Sequence, residues 1–304
     1  MLTIAHFSDV HLGPMPRPRI RDLTPKRLTG LANWHRRRKL RHLPDVLRQL
    51  IDDARRHSPD HIVVTGDLCN IGMPAEMAAA LGWLERLGPP EHVTVVPGNH
   101  DAYVRLRGDP GVARWTAYMS GDQTEAVKRR GEPVPFPFVR RLGRVALVGL
   151  SSAVPTPVFR ATGRLGTDQR EAAARVLRRL DGEGLLRIVL IHHPPLPGQA
   201  SPARRLIDAE AFAAVLKEAG AELVLHGHNH KAMLAYAEGP AGSIPVVGVP
   251  SASLAEHHHD DLARYNLYRI VQRGEKHTIT LEGRAITPGL ASVETVEQRA
   301  LVER

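Results

Sequence analysis

Short apolar runs that stop on aspartate, asparagine or histidine constrain this chain more than any other feature. Residues 3–7, 61–65, 93–96, 186–191 and 223–225 each read as a buried strand: brief, apolar and ended by polar residues. Between them, apolar side chains three and four apart mark helical faces, with Leu40, Leu43, Leu47, Leu50, Ile51 and Ala54 on one and Met77, Leu81, Leu84 and Leu87 on another. Further helices are expected over 168–180, with Thr167 as N-cap, and near 208–219. A hairpin is expected over 136–150 around Gly143-Arg144, with more strands over 244–249, 266–272 and 277–284. Alternating strands and helices predict an α/β fold with helical crossovers. Residues 102–135 are poorly patterned and are expected to run over the surface. No repeat or linker divides the chain, so one domain is expected over 1–285, with a tail of unassigned structure over 286–304.

The strand ends carry the chemistry. They hold Asp9 and His11, then Asp67, then Asn99 and His100, then His192, and finally His228 and His230. Open α/β sheets bind ligands beyond the carboxyl ends of their strands, where loops converge. Carboxylate, amide oxygen and imidazole together suit divalent transition ions such as manganese, iron or zinc. The set exceeds what one ion takes, and two ions sharing a bridging carboxylate fit the count. Other polar residues invite blander readings. His257, His258 and His259 cannot all point one way and are expected in a surface or pocket-rim loop. Cys69 is expected to be a small buried filler, and His226 a neutral neighbour of the site.

Asp9-x-His11, Gly66-Asp67, Gly98-Asn99-His100-Asp101, His192 and Gly227-His228-x-His230 resemble, in order and spacing, the motifs of the calcineurin-like metallophosphoesterases, over about residues 3–250. The chain is most similar to the branch of bacterial cyclic-nucleotide and glycerophosphodiester phosphodiesterases. There Gly-Asp is followed by a short loop, a glycine (Gly72 here) and an acidic helix, and the fourth motif reads His-His-Pro-Pro. The resemblance implies a four-layer α/β/β/α sandwich of two mixed β-sheets. It also implies that Asp9, His11 and His230 hold one ion, that Asn99, His192 and His228 hold the other, and that Asp67 bridges them. A hydroxide between the ions would attack phosphorus. His100 would stabilise charge or protonate the leaving oxygen, with Asp101 orienting it. His192 is preferred to His193 because the family's ligand stands two before the proline, here Pro194. Phosphoprotein phosphatases of the superfamily carry Gly-Asp-x-x-Asp-Arg-Gly and Gly-Asn-His-Glu. This chain reads Gly66-Asp67-Leu68-Cys69-Asn70-Ile71-Gly72 and ends its third motif in Asp101, which argues against that branch.

The charge excess sits in one place. From residue 14 to residue 43 there are ten basic side chains (Arg17, Arg19, Arg21, Lys26, Arg27, Arg36, Arg37, Arg38, Lys39, Arg41) against one acid, Asp22, an excess equal to the net charge of +9 of the whole chain. A basic insert leaving directly after His11 attracts phosphate groups, so Trp34, Arg36, Arg37 and Arg38 join His100 as candidate substrate contacts. Leu28, Leu31 and Trp34 fall at helical spacing among these cations. That pattern suits an interfacial helix on an anionic membrane, or a helical cap packed over the site. The expected partners are thus a phosphorylated small molecule or lipid and an anionic membrane surface. A DNA-processing nuclease is the alternative, although 4% aromatic content leaves few stacking platforms. A non-catalytic protein-binding scaffold would not need every donor kept. One cysteine suits a reducing compartment, and no apolar run reaches the ~18–20 residues of a membrane span. The expected location is cytoplasmic, with the insert able to meet the inner membrane face.

Overall fold

The computed structural model describes every residue except 107, 123, 128–133, 256–261, 275 and 304, together with the side chains of 37 and 273. Its twelve strands form two six-stranded sheets. In the first, β1 (Leu2–Phe7), β2 (His61–Val64) and β3 (Val93–Val95) run parallel, and β10 (Arg264–Arg273), β11 (Lys276–Ile286) and β12 (Val293–Glu303) extend the β1 edge antiparallel. In the second, β5 (Val145–Gly149), β6 (Leu186–Leu190), β7 (Leu223–His226) and β9 (Gly242–Gly248) are parallel, with β4 (Phe138–Leu142) and β8 (Met233–Gly239) antiparallel at the edges.

The period-two geometry of a strand explains why the two sheets stack. On β6, Leu186, Ile188 and Leu190 enter a core shared with Ile4, Phe7 and Val64 of the first sheet. The alternate residue Val189, with Ile191 just beyond the strand, faces a second core with Leu177 and Leu180 of α5 (Thr167–Gly182) and Phe212 and Leu216 of α6 (Ala209–Ala219). On the outer face of the first sheet, α3 (Pro44–Arg56) buries Val46, Leu47 and Leu50, and α4 (Pro74–Leu87) buries Met77, Ala80 and Leu84. The result is an α/β/β/α sandwich of two mixed sheets.

Several local expectations are corrected. Residues 102–135 are not merely a surface excursion. Gly111–Met119 form a 3-10 helix whose Trp115 is fully buried and donates from Nε1 to the Met77 carbonyl at 3.0 Å. Thr167 is the first helical residue of α5 rather than its cap. The preceding Gly166, at φ 80°, takes that place, and Asp208 accepts from the amides of Leu165 and Gly166 at 3.0 and 2.8 Å. The tail adds β12, whose register against β11 shifts at Ile279/Thr280 and Gly283/Arg284. Two bulges on an exposed edge strand scramble the alternation that would have revealed it.

The basic insert is folded and packed. It contains α1 (Pro25–Asn33), a π-helical turn over Trp34–Arg38, and the single turn α2 (Lys39–Arg41). Leu31 and Trp34 pack with Met15, Ile71, Met73 and Tyr103, so two of the three apolar residues read as an interfacial stripe face the protein instead. Arg27, counted with the basic side chains of the insert by sequence, is buried. Its guanidinium donates to the carbonyls of Asp22 (2.8 Å), Ile71 (3.1 Å) and Gly72. This fastens the insert to the loop that follows Asp67.

Away from the site, Asp53 of α3 ties the helix layer to the first sheet. It accepts from Arg284 Nε and Nη2 (2.6 and 2.9 Å) and from the Tyr265 hydroxyl (2.6 Å). Burial alone would raise its pKa, but the hydrogen bonds from Arg284, Tyr265 and Arg56 outweigh burial and hold it below the usual carboxylate range. Its stabilising contribution is therefore complete above about pH 4 and fades as pH falls through the depressed folded-state value. Asp53→Asn is expected to cost about 2–4 kcal/mol at pH 7 by denaturant unfolding. The gap to the native chain should shrink on acidification below about pH 4.

Candidate metal centre

Every candidate donor lies just past the carboxyl end of a parallel strand, with β1, β2 and β3 supplying one side and β6 and β7 the other. The loops bind each other through their backbones: Asp9 N donates to Gly66 O at 3.0 Å, His11 N to Asp67 O at 3.0 Å, and Gly227 N to His192 O at 3.1 Å. The turns are unusually tight. Asp9, His11, Asp67, His228 and His230 have φ of 51°, 39°, 56°, 72° and 56°, left-handed values costly for side-chain-bearing residues. Strain of this kind is kept where surrounding structure enforces it, most often at functional sites. Gly227 shows how closely the two sheets meet, since a Cβ there would strike the side chains of Ser8 and Asp9.

The histidines are held by carbonyls. His11 Nδ1 donates to Cys69 O at 3.0 Å, His192 Nδ1 to Thr65 O at 2.7 Å, and His228 Nε2 to Arg204 O at 2.8 Å. A carbonyl only accepts, so each contact fixes the ring proton on that nitrogen and leaves the other as a lone pair. Those lone pairs converge. His192 Nε2 lies 3.2 Å from His228 Nδ1, 3.1 Å from Asn99 Oδ1 and 3.5 Å from Asp67 Oδ2. On the other side His11 Nε2 is 3.4 Å from His230 Nε2 and 3.9 Å from Asp67 Oδ2, while His230 Nε2 is 3.2 Å from Asp9 Oδ1. Asp9 Oδ1 is buried without a hydrogen bond. Acceptors facing acceptors at such distances call for cations between them.

Electrostatics lead to the same place. Burial, then the neighbouring carboxylates Asp9 and Asp101, push Asp67 well above the usual carboxylate range. Burial, then His42 and Arg38, push His11 well below the usual histidine range and keep it neutral. Three groups of donor atoms, Asp9–His11–His230, His11–Asp67–His100 and Asp9–Asp67–His192, each fall within 4.8 Å of one another among the described residues. The donor set fits two divalent ions, with Asp67 common to two of the groups.

The other candidates fall into place unevenly. His193 uses both nitrogens elsewhere, on Ser152 Oγ (2.8 Å) and Ala161 O (3.1 Å), so His192 is the residue turned to the centre. Asp101 does not orient His100. Its oxygens accept from the amides of Asp67, Gly98 and Cys69, all at 2.9 Å, so it braces the two loops from behind. His100 instead donates from Nδ1 to Asn70 O and receives Arg38 Nη2 at Nε2, at 2.9 Å. Cys69 and His226 are buried, as expected of a filler and a neighbour. Of the insert candidates whose side chains are described, Arg38 alone lines the cleft over the centre. Trp34 packs into the cap, Arg36 is exposed, the Arg37 side chain lies outside the described residues, and so do His257, His258 and His259. Sequence reasoning missed Arg41, His42 and Arg204, which line the same cleft of about 330 Å³. His42 bonds Ser253 Oγ at 2.8 Å with its ring centre 4.6 Å from that of His11. No strand end or spacing marks any of the three.

With this geometry in view, comparison identifies the class. The family model for calcineurin-like phosphoesterases matches residues 2–232, and the chain belongs to that family. It is 28% identical over 238 residues to a protein of Synechococcus sp. named "Probable cyclic nucleotide phosphodiesterase", covering 77% of this chain and 75% of that one. Among solved structures it superposes on a dimetal phosphatase from Danio rerio with TM-score 0.63 at 14% identity, covering 97% and 98% of the two chains. It also superposes on purple acid phosphatase PPD1 of yellow lupin, Lupinus luteus, with TM-score 0.57 at 12% identity, covering 98% of this chain and 53% of the other. The protein is a metal-dependent hydrolase of phosphoester bonds. No helix among the described residues is long and apolar enough to cross a membrane.

His192→Ala is expected to lower the bound transition metal by about one of two ions after reconstitution and dialysis, because it removes a converging lone pair. His193→Ala should keep both. Elemental analysis of the two variants beside the parent chain checks the assignment.

Proposed function

We propose that this protein hydrolyses a phosphodiester of a small phosphorylated molecule at a dinuclear centre. Asp9, His11 and His230 would hold one ion, Asn99, His192 and His228 the other, and Asp67 would serve both. The observation that carries the reading is the position of Asp67 Oδ2, 3.9 Å from His11 Nε2 and 3.5 Å from His192 Nε2, between the two donor groups. When bound, the ions supply Lewis acidity to the phosphoryl oxygens and lower the pKa of a water nucleophile. Manganese, iron and zinc all suit the donors.

The chain's own residues supply the rest. His100, anchored at Nδ1 on Asn70, presents Nε2 to the cleft beside Asp67, where it is placed to hand a proton to the leaving oxygen. In the substrate-free arrangement, burial and then the Arg38 charge keep that imidazole neutral. An anionic phosphate arriving there offsets the Arg38 charge and favours the protonated ring. Arg204 donates to His228 O at 2.6 Å while its own carbonyl holds His228 Nε2, a double latch on one metal donor. The phosphodiester reading also draws support from the name of the Synechococcus relative.

One observation favours an added anionic surface as partner. Ile20, Leu28 and Leu40 of the insert are 91%, 51% and 69% exposed, an unusual display of apolar groups among arginines. A phospholipid or lipid-linked phosphate is then the second substrate reading, with the enzyme peripheral to the cytoplasmic membrane face.

The manganese-loaded chain is expected to hydrolyse bis-p-nitrophenyl phosphate and to lose that activity on chelation. His100→Ala should lower kcat on the order of 10²-fold or more at unchanged metal content. Full retention of two ions with no turnover by the parent chain would argue for a scaffold instead.

A further inference from the structure

The cleft above the donors carries more positive charge than a simple diester needs. Arg38 enters from the insert and Arg204 from the loop between β6 and α6, and both line the cleft with His100 and Asp67. Neither guanidinium forms an ion pair among the described residues. Arg38 contacts the His100 ring, and Arg204 contacts the carbonyl of His228. Burial pushes the Arg38 pKa down, so its charge is held there at a cost. A half-buried arginine with no carboxylate in ion-pair contact is a site prepared for an incoming anion, and the planar guanidinium suits phosphate.

Charge points the same way. Asp9 and Asp67 face the ions that the donor set would hold, whereas Arg38 and Arg204 reach the cleft wall beside them, where a further anionic phosphate group would meet them. The backbone supplies an independent sign. The insert's helix widens into a π-turn over Trp34–Arg38, and its last residue is the one that reaches His100. Such turns are rare and recur at functional sites. The cleft, at about 330 Å³, lies at the small end of ligand pockets, which fits a compact metabolite rather than a polymer.

We propose that Arg38 and Arg204 form a second phosphate subsite, so that the substrate is a small phosphodiester carrying an additional phosphate group. This rests on the phosphoesterase reading above and narrows its substrate class.

Calorimetric titration of the manganese-loaded full chain with adenosine 3′,5′-bisphosphate and with adenosine 5′-monophosphate tests the subsite without turnover. The parent chain should bind the bisphosphate on the order of tenfold or more tightly. Arg38→Gln and Arg204→Gln should each weaken the bisphosphate and shift the monophosphate by no more than about twofold, and the double variant should bind the two equally. Arg38→Lys, which keeps the charge but loses the fork, should fall between. Metal content is measured in every variant, and Arg38→Gln carries the test if Arg204→Gln disturbs His228. No preference in the parent chain, or parallel losses for both ligands, would overturn the subsite. Hydrolysis of bis-p-nitrophenyl phosphate, followed on the same preparations, separates the two claims. Activity without a bisphosphate preference removes the subsite alone, whereas inactivity with both ions bound removes the function beneath it.

Discussion

Two carboxylates, Asp9 and Asp67, are buried at one strand edge with donor atoms within 4.8 Å of each other and of His192. Like charges taken out of water repel strongly, and burial together with the Asp9 charge already drives Asp67 toward its protonated form. Divalent cations between such a pair offset that repulsion without a proton. Imidazole rings stand around the pair, and the carbonyls of Thr65, Cys69 and Arg204 each accept from one nitrogen of a ring and turn its other nitrogen inward.

The architecture exists at this edge because two sheets meet there. Alternation along β6 and β7 sends one set of side chains into the core between the sheets and the other under α5 and α6. The strand ends of both sheets therefore open on a common cleft. Left-handed backbone at five donor positions turns each side chain back over the edge. Asp101 spreads one carboxylate over three amides from the second and third motifs, and burial lifts its pKa to about 6 despite those donors. The insert closes the cleft from outside, pinned by Arg27 and reaching in with Arg38.

Much of this could be read from the chain before its fold was known. The parallel strands near the centre, four of the helices and the seven candidate donors announce themselves, because a short buried strand ending on a polar side chain leaves a local pattern. What escaped is what depends on contacts distant in sequence. Asn99-His100-Asp101 suggests a paired His and Asp, yet a three-residue turn points the two side chains apart. Arg27 and Arg36 look alike in composition, but one is buried on carbonyls and the other exposed. Arg204 sits in a loop with no periodicity and gains its place only because His228 lies across the cleft. Trp115 was hidden by the glycines and prolines around it, although its indole is fully buried against α4. β12 was hidden by its two bulges.

Donors from five strand ends are placed to hold two cations through one shared carboxylate. Anomalous diffraction from crystals of the manganese-loaded protein would reveal them. Two peaks are expected about 3.5–4 Å apart, one against Asp9, His11 and His230, the other against Asn99, His192 and His228, with Asp67 touching both. A single peak, or two peaks with no common ligand at Asp67, would contradict that arrangement.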